Sequence, residues 1–277
     1  MGNTCYMLAR KSIAALLFFP AICFCQKNIT GLINAEKAFA QYAIDFGTRD
    51  AFINFLDTTG IVFNEGKAVN GYHLWKDREK SSSKLIWEPE FAAIASSGEY
   101  GVTTGPWEFK ASLADTALAR GNFTSIWHYC KSEWKNVLDI GIGYSKKRNP
   151  VTEVQSIEIK AGEKGDGTVV GFEKMFIADY KLNGKNAYKT VAATNTWFNT
   201  EGHLPLSGTN AAEKALALIP DSIEFSPLGY GLSYSRDFAY VYGRAKLNNK
   251  VANYLRVWVR ENNEWKLLLQ TLGLSIQ

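Results

Sequence analysis

The sequence predicts an α+β protein made of two tandem copies of one domain, each with N-terminal helices packed on a curved antiparallel sheet. Three observations carry this. First, NFTSIWHYCKSEWKNVL from Asn122 returns as NYLRVWVRENNEWKLLL from Asn253, so that Trp127 meets Trp258, Glu133 meets Glu264, Trp134 meets Trp265 and Leu138 meets Leu269. With 8 tryptophans among 277 residues, two Trp pairs at one spacing are not accidental. Second, the copy continues upstream. Pro89 falls on Pro227, Ser97 on Ser235, Glu99-Tyr100 on Asp237-Phe238, Gly105 on Gly243, and EKAF from Glu36 falls on EKMF from Glu173. Third, each copy runs from helical to alternating patterns. A copied length of ~100 residues can hold a core of its own, which makes it a domain and not a solenoid unit.

The elements follow in order. Residues 1–25 read as an export signal: Arg10 and Lys11 precede the apolar run SIAALLFFPAICFC, which is too short to span a membrane, so Gln26 is expected first in the mature chain with no stable membrane insertion. In the first domain, 32–143, Asn34 is placed to cap a helix with Phe39, Ala43 and Phe46 on one face, stopped at Gly47. Thr48 opens a second helix with Phe52, Phe55 and Leu56 inward, ending near Gly60. A short strand GIVFN, an Asn70-Gly71 turn and a third helix from Tyr72 come next. Long strands are expected over 85–95, 100–110, 122–131 and 134–142, with tight turns at Ser96-Ser97-Gly98, Lys131-Ser132-Glu133 and Asn262-Asn263. Residues 144–170 read as a linker, or as a hairpin over the glycine-rich GEKGDG. The second domain is placed at 171–277.

Composition excludes several classes of function. The net charge of +4 includes Arg10 and Lys11, and no basic stripe stands out, so nucleic acid is not an expected partner. Three of the 4 cysteines leave with the signal; Cys130 remains, so no intramolecular disulfide is expected and Cys130 reads as buried and inert. His73, His128 and His203 show no ligand spacing with a second metal-binding residue, so no metal and no cofactor is expected.

The AEKAF helix, the G-x-V-F strand, the Asn-Gly turn, the W-x-P strand, SGEYGVTTGPWEF and the EWKNVLDIG strand together resemble the nuclear transport factor 2-like superfamily. The nearest likeness is to its SnoaL-like members of the domain of unknown function 4440 type. The resemblance covers about 35–143 and, in the second copy, about 202–272. It implies a cystatin-like cone with a pocket between helices and concave sheet, used in the superfamily by isomerases, dehydratases, cyclases and plain binding proteins. Fold alone does not choose among these.

The candidate site residues lie in the first copy. Asp139 interrupts the apolar strand NVLDIGI, in parity with Val137. His128 shares a strand face with Ile126, which in the second copy reads Leu255, Val257, Val259 and looks like core. Asp139 and His128 are the candidate proton-transfer groups, because burial in an apolar pocket moves a carboxyl towards neutrality. Tyr72, Glu88, Trp107 and Trp127 are the candidate ligand contacts. Each has a plainer role open to it: a solvated Asp at a strand end, a hydrogen-bonded core His, or aromatic wall. The second copy has Val259, Gln270 and Ala245 where the first has His128, Asp139 and Trp107, so a site is expected in the first copy only. The longer hairpin over 111–120 is a candidate lid. The expected function is that of an exported module binding a small apolar molecule, with an acid–base isomerase, dehydratase or cyclase, or a structural or protein-interaction module, as alternatives. The two sheets are expected to pack as an intramolecular pseudo-dimer, leaving the chain monomeric.

Overall fold

A computed structural model describes residues 26–160 and 168–275; the export signal expected at 1–25 and the glycine-rich stretch within 161–167 lie outside the described residues. In the first domain α1 (Ile29–Phe46) begins before Asn34. Asn28 is the cap, its side chain accepting from Gly31 N at 2.8 Å. Leu32, Ala35, Phe39 and Ala43 form the buried stripe, while Phe46 is exposed. Gly47, at φ 98°, ends the helix by donating to Ala43 O. α2 (Thr48–Phe55) is shorter than expected, because the chain turns extended at Leu56 and enters β1 (Leu56–Asn64). β2 (Lys67–Asn70) and α3 (Gly71–Asp77) follow, α3 capped by the Asn70 side chain.

The single strand expected over 85–95 is two, β3 (Lys84–Trp87) and β4 (Phe91–Ile94). Pro89 lies between them and has no N–H for a ladder. β5 (Tyr100–Lys110), β6 (Ala119–Cys130) and β7 (Glu133–Gly143) complete a meander. The described residues of 144–170 hold one strand, and the glycine-rich turn of the expected hairpin lies outside them. β8 (Gln155–Glu158) joins the first sheet parallel to β4, giving the order β2-β1-β7-β6-β5-β4-β8 with β3 also on β5.

The second domain repeats the plan: α4 (Val169–Asn183), α5 (Ala187–Val191), β9 (Ala192–Thr200), β10 (Leu206–Ser207), α6 (Ala211–Leu216), β11 (Glu224–Leu232), β12 (Phe238–Leu247), β13 (Lys250–Glu261) and β14 (Glu264–Leu272). Its sheet runs β10-β9-β14-β13-β12-β11. In both sheets the first strand pairs in parallel with the last strand of the meander, Ile61 opposite Leu138 and Trp197 opposite Leu269. The β6–β7 turn at Lys131-Ser132 and the β13–β14 turn at Asn262-Asn263 both hold two residues at positive φ, 52° and 65° against 50° and 65°, as right-twisted two-residue hairpins require. The fold is α+β, two tandem cones, each with helices on the concave face of a curved sheet.

The sheets pack against each other through their other faces. Ala93, Val102, Ile126, Leu138 and Ile140 meet Trp197, Phe238, Leu255, Val257 and Leu269 in one buried cluster. Phe91 stacks on Trp197 at 5.1 Å. Near one end, Asn199 Nδ2 donates to Thr104 Oγ1 at 3.0 Å, and the Thr124 and Thr271 hydroxyls lie 2.7 Å apart. At the Ser97 and Ser235 turns the pseudo-twofold axis is explicit: the two hydroxyls are 2.7 Å apart, and the Ser97 and Ser235 amides each donate to the other's oxygen. Glu99 accepts from Tyr234 N, and its counterpart Asp237 accepts from Ser96 Oγ.

This arrangement corrects one expectation. The face of Leu255, Val257 and Val259 is the contact between sheets, and the face of Tyr254, Arg256 and Trp258 is the cone interior. Both faces of these strands are buried, so alternation alone does not say which one meets the helices. Cys130, at the end of β6, is exposed and not buried. Among the described residues no helix is long and apolar enough to cross a membrane.

Candidate functional site

The first cone holds a cavity of about 220 Å³ lined by Phe39, Phe52, Trp75, Leu85, Trp87, Trp107, Phe123, Asp139 and Gly141. Each wall has a local cause. Phe39 and Phe52 come from the apolar stripes of α1 and α2, packed edge to face at 4.9 Å. Trp75, on α3, stacks on Phe52 at 4.3 Å. Trp87 and Trp107 are opposite one another on β3 and β5. Trp107 lies over Gly121, where an added Cβ would sit 2.6 Å from the indole ring, so β6 must be bare there for Trp107 to reach the cavity.

Asp139 is the cavity's sole charged lining group. A bulge at Val137 puts it in register with Ser125 and on the same side as Asn136 and Trp127, so its parity is not that of Val137, which turns to the other sheet. Ser125 Oγ donates to Asp139 Oδ2 at 2.7 Å and Asn136 Nδ2 donates to the same oxygen at 3.4 Å. Protein surrounds the carboxyl apart from the cavity, and burial pushes its pKa up to about 6 against the opposing Ser125 and Asn136 hydrogen bonds.

Beneath this cavity lies a residue that sequence reasoning missed as functional. Glu36 is fully buried on α1. Its Oε1 accepts from Trp87 Nε1 at 2.6 Å, and its Oε2 accepts from Thr103 Oγ1 at 2.5 Å and Trp127 Nε1 at 2.9 Å. Burial raises its pKa to about 7, with the three donors pulling down and Asp139 adding to the rise. The signal was present: Glu36 stands inside the apolar stripe Leu32, Ala35, Phe39, Ala43, and it is one of the residues kept in both copies.

The candidate residues therefore separate. Asp139 and Trp107 line the cavity, and Trp127 lies behind it on Glu36. His128 does not join them. It is on the intersheet face, stacked on Tyr100 at 4.3 Å, which in turn approaches Tyr240. Burial pushes its pKa down while Glu99 and Asp57 oppose this. The error followed from exchanging the two sheet faces. Tyr72 is on α3 beside His73 and Lys76, outside the cavity. Glu88 is exposed and accepts from Val151 N at 3.2 Å. None of 111–118 lines the cavity, so the hairpin is no lid in this conformation. A larger depression of about 820 Å³ is an open groove on the outer side of α1 against Trp134 and Lys135, remote from Asp139.

The second cone is filled at the same place. Arg256, the counterpart of Ser125, is fully buried. Its guanidinium lies 4.5, 4.0 and 4.5 Å from the rings of Phe176, Phe225 and Tyr254, which are the counterparts of Phe39, Trp87 and Phe123. Nη1 donates to Glu173 Oε1 at 2.5 Å and Nε donates to Gln270 Oε1 at 2.8 Å. Glu173 and Gln270 are the counterparts of Glu36 and Asp139. Trp258 Nε1 donates to Glu173 Oε2 at 2.9 Å, as Trp127 does to Glu36. Among the described residues no group of three or more His, Cys, Asp and Glu could hold a metal ion.

No protein family matches this chain, and no curated protein matches it. Solved structures similar to it are of single-domain size. A nuclear-transport-factor-2-like protein of unknown function from Shewanella oneidensis is 20% identical at a TM-score of 0.33, over 40% of this chain and 94% of that one. A de novo designed protein with a curved β-sheet is 15% identical at 0.34, over 38% and 99%. A protein of unknown function with a cystatin-like fold from Nostoc punctiforme is 7% identical at 0.31, over 40% and 87%.

Proposed function

We propose that this protein binds a small, largely apolar molecule in the first cone, with Asp139 as its polar contact. One observation carries the reading: an aromatic cavity of about 220 Å³ with a single carboxyl in its wall. A dry apolar cavity of ~150 Å³ already takes up benzene, so this one has room for a ring and a short substituent. Burial of an apolar body drives binding and one convergent polar group orients it. The SnoaL-like resemblance fits a pocket used in this way. NMR titration with single-ring compounds tests the reading. Shifts should concentrate on the indole signals of Trp75, Trp87 and Trp107; shifts confined to the second domain would overturn it.

The second reading is an acid–base isomerase, dehydratase or cyclase. It is favoured by two desolvated carboxyls, half-buried Asp139 at about 6 and buried Glu36 at about 7, poised where a proton can move either way at neutral pH. Turnover lost in Asp139→Asn while ligand still binds would select it. We also propose export, on the strength of the Arg10-Lys11 and apolar pattern in 1–25, and a monomeric chain, since each sheet already has its partner within the chain. Cell fractionation and N-terminal sequencing should find Gln26 first, outside the cytoplasm.

A further inference from the structure

The second cone contains, as part of its own chain, a polar group seated where the first has a cavity. That group is a guanidinium. Phe176, Phe225 and Tyr254 close around it, Glu173 takes Nη1 and Gln270 takes Nε. In the first cone the matching positions are Phe39, Trp87, Phe123, Glu36 and Asp139, and the residue that would carry the guanidinium is Ser125.

We propose that the first cone binds an organic nitrogen cation, an amidinium, guanidinium or protonated amine on a small apolar body, held between aromatic faces and Asp139. This rests on the binding reading above and specifies the chemistry of its ligand. Four features support it. The residues lining the cavity include no Lys or Arg, and the guanidinium that lies on a lining ring, Arg78 at 4.4 Å from Trp75, is not itself part of the wall. Trp87 and Trp107 add indole rings to the Phe rings, and tryptophan is the strongest aromatic partner for a cation. Ser125 and Asn136 both donate to Asp139 Oδ2, which leaves Oδ1 to an incoming N–H. The exchange from Gln270 to Asp139 supplies a formal negative charge where the second cone has a neutral acceptor, which suits a cation arriving from water and not tethered to the backbone.

Benzamidinium and benzamide have nearly the same shape and differ in charge, so they separate the two levels of the proposal. The expected result in NMR titration is that benzamidinium shifts the Trp75, Trp87 and Trp107 indole signals and binds at least ~10-fold more tightly than benzamide. In Asp139→Asn this preference should fall below ~3-fold. In Ser125→Arg, where the chain supplies its own guanidinium, neither compound should bind. Should Asp139→Asn fail to fold, Trp107→Ala serves instead, since the second domain carries alanine there, and benzamidinium should bind it more weakly. Equal affinity for the two compounds at the pocket would overturn the cation assignment and leave the pocket reading standing. Toluene, benzamide and benzamidinium all leaving the three indoles unmoved would overturn both.

Discussion

The two cones share one plan, and among the interior positions at which they differ one cross-strand pair carries the change in charge: Ser125 opposite Asp139 in the first, Arg256 opposite Gln270 in the second. Around each pair stands the same frame, a buried glutamate on the first helix accepting from a tryptophan on the third meander strand. In the second cone that glutamate has a cation and the cavity is filled. In the first it has only neutral donors, and the cavity is open. A change of side-chain length at one strand position thus accompanies the change from a filled core to a cavity. A depression of about 240 Å³ in the second domain lies instead between α4 and β11, lined by Val170, Glu173, Pro227 and Tyr230.

The sharpest way to break this comparison is Arg256→Ser. It should open the second cone and leave Glu173 buried without its cation, costing about 3–5 kcal/mol in urea unfolding. Glu173→Gln in the same chain should recover part of the loss. A cost below ~1 kcal/mol would mean that Arg256 is not what holds that cone closed.

Next in size is the pH dependence of stability. Asp139 is raised from 3.8 to about 6 and Glu36 from 4.5 to about 7. The folded state therefore binds more protons than the unfolded one between each pair of values. Stability is fully present below pH ~4, falls as pH rises towards ~7 and is flat beyond, by roughly 3 kcal/mol for each group. Asp139→Asn and Glu36→Gln should each flatten the slope, and Asp139→Asn should exceed the parent protein in stability at pH 8. A profile that rises between pH 4 and 7 would show that these carboxyls are not desolvated.

Ser125→Arg converts the first cone into a copy of the second. Its guanidinium should hold Asp139 and Glu36 ionised and remove most of that slope, with a net stability change of about 1–2 kcal/mol. The smallest effect is expected from His128→Val, which also copies the second half. His128 lies on the intersheet face, so its replacement should leave pocket binding unchanged and move stability by less than ~1 kcal/mol. A loss of pocket binding in this variant would reconnect the two faces.

The legibility of the chain divides along the same line. Helices, hairpins and the two copies followed from apolar periodicity, from turn residues and from the paired tryptophans. That a glutamine, Gln270, stands where the first copy has Asp139 was also legible. What could not be read was which strand face meets the helices. Ile126 and Trp127 are both fully buried, since one face packs on α1 and the other on a second sheet. His128 was misplaced for that reason. Asp139 reached the cavity through a bulge at Val137 that no local pattern marks. Glu36 was visible only as a conserved letter between the copies, because a lone carboxylate in an apolar stripe says nothing until its donors, Trp87, Thr103 and Trp127, come together from distant strands.

Ser97 and Ser235 meet across the pseudo-twofold axis as identical partners. Had the halves remained separate chains of one sequence, any change at the position of Ser125 would have entered both cones at once. Both would have been plugged, or both left hollow with an unneutralised glutamate. Joining the halves into one chain removes that constraint. One cone can then serve as a rigid support whose interior ion pair is never disturbed, while the other stays free to change what it admits.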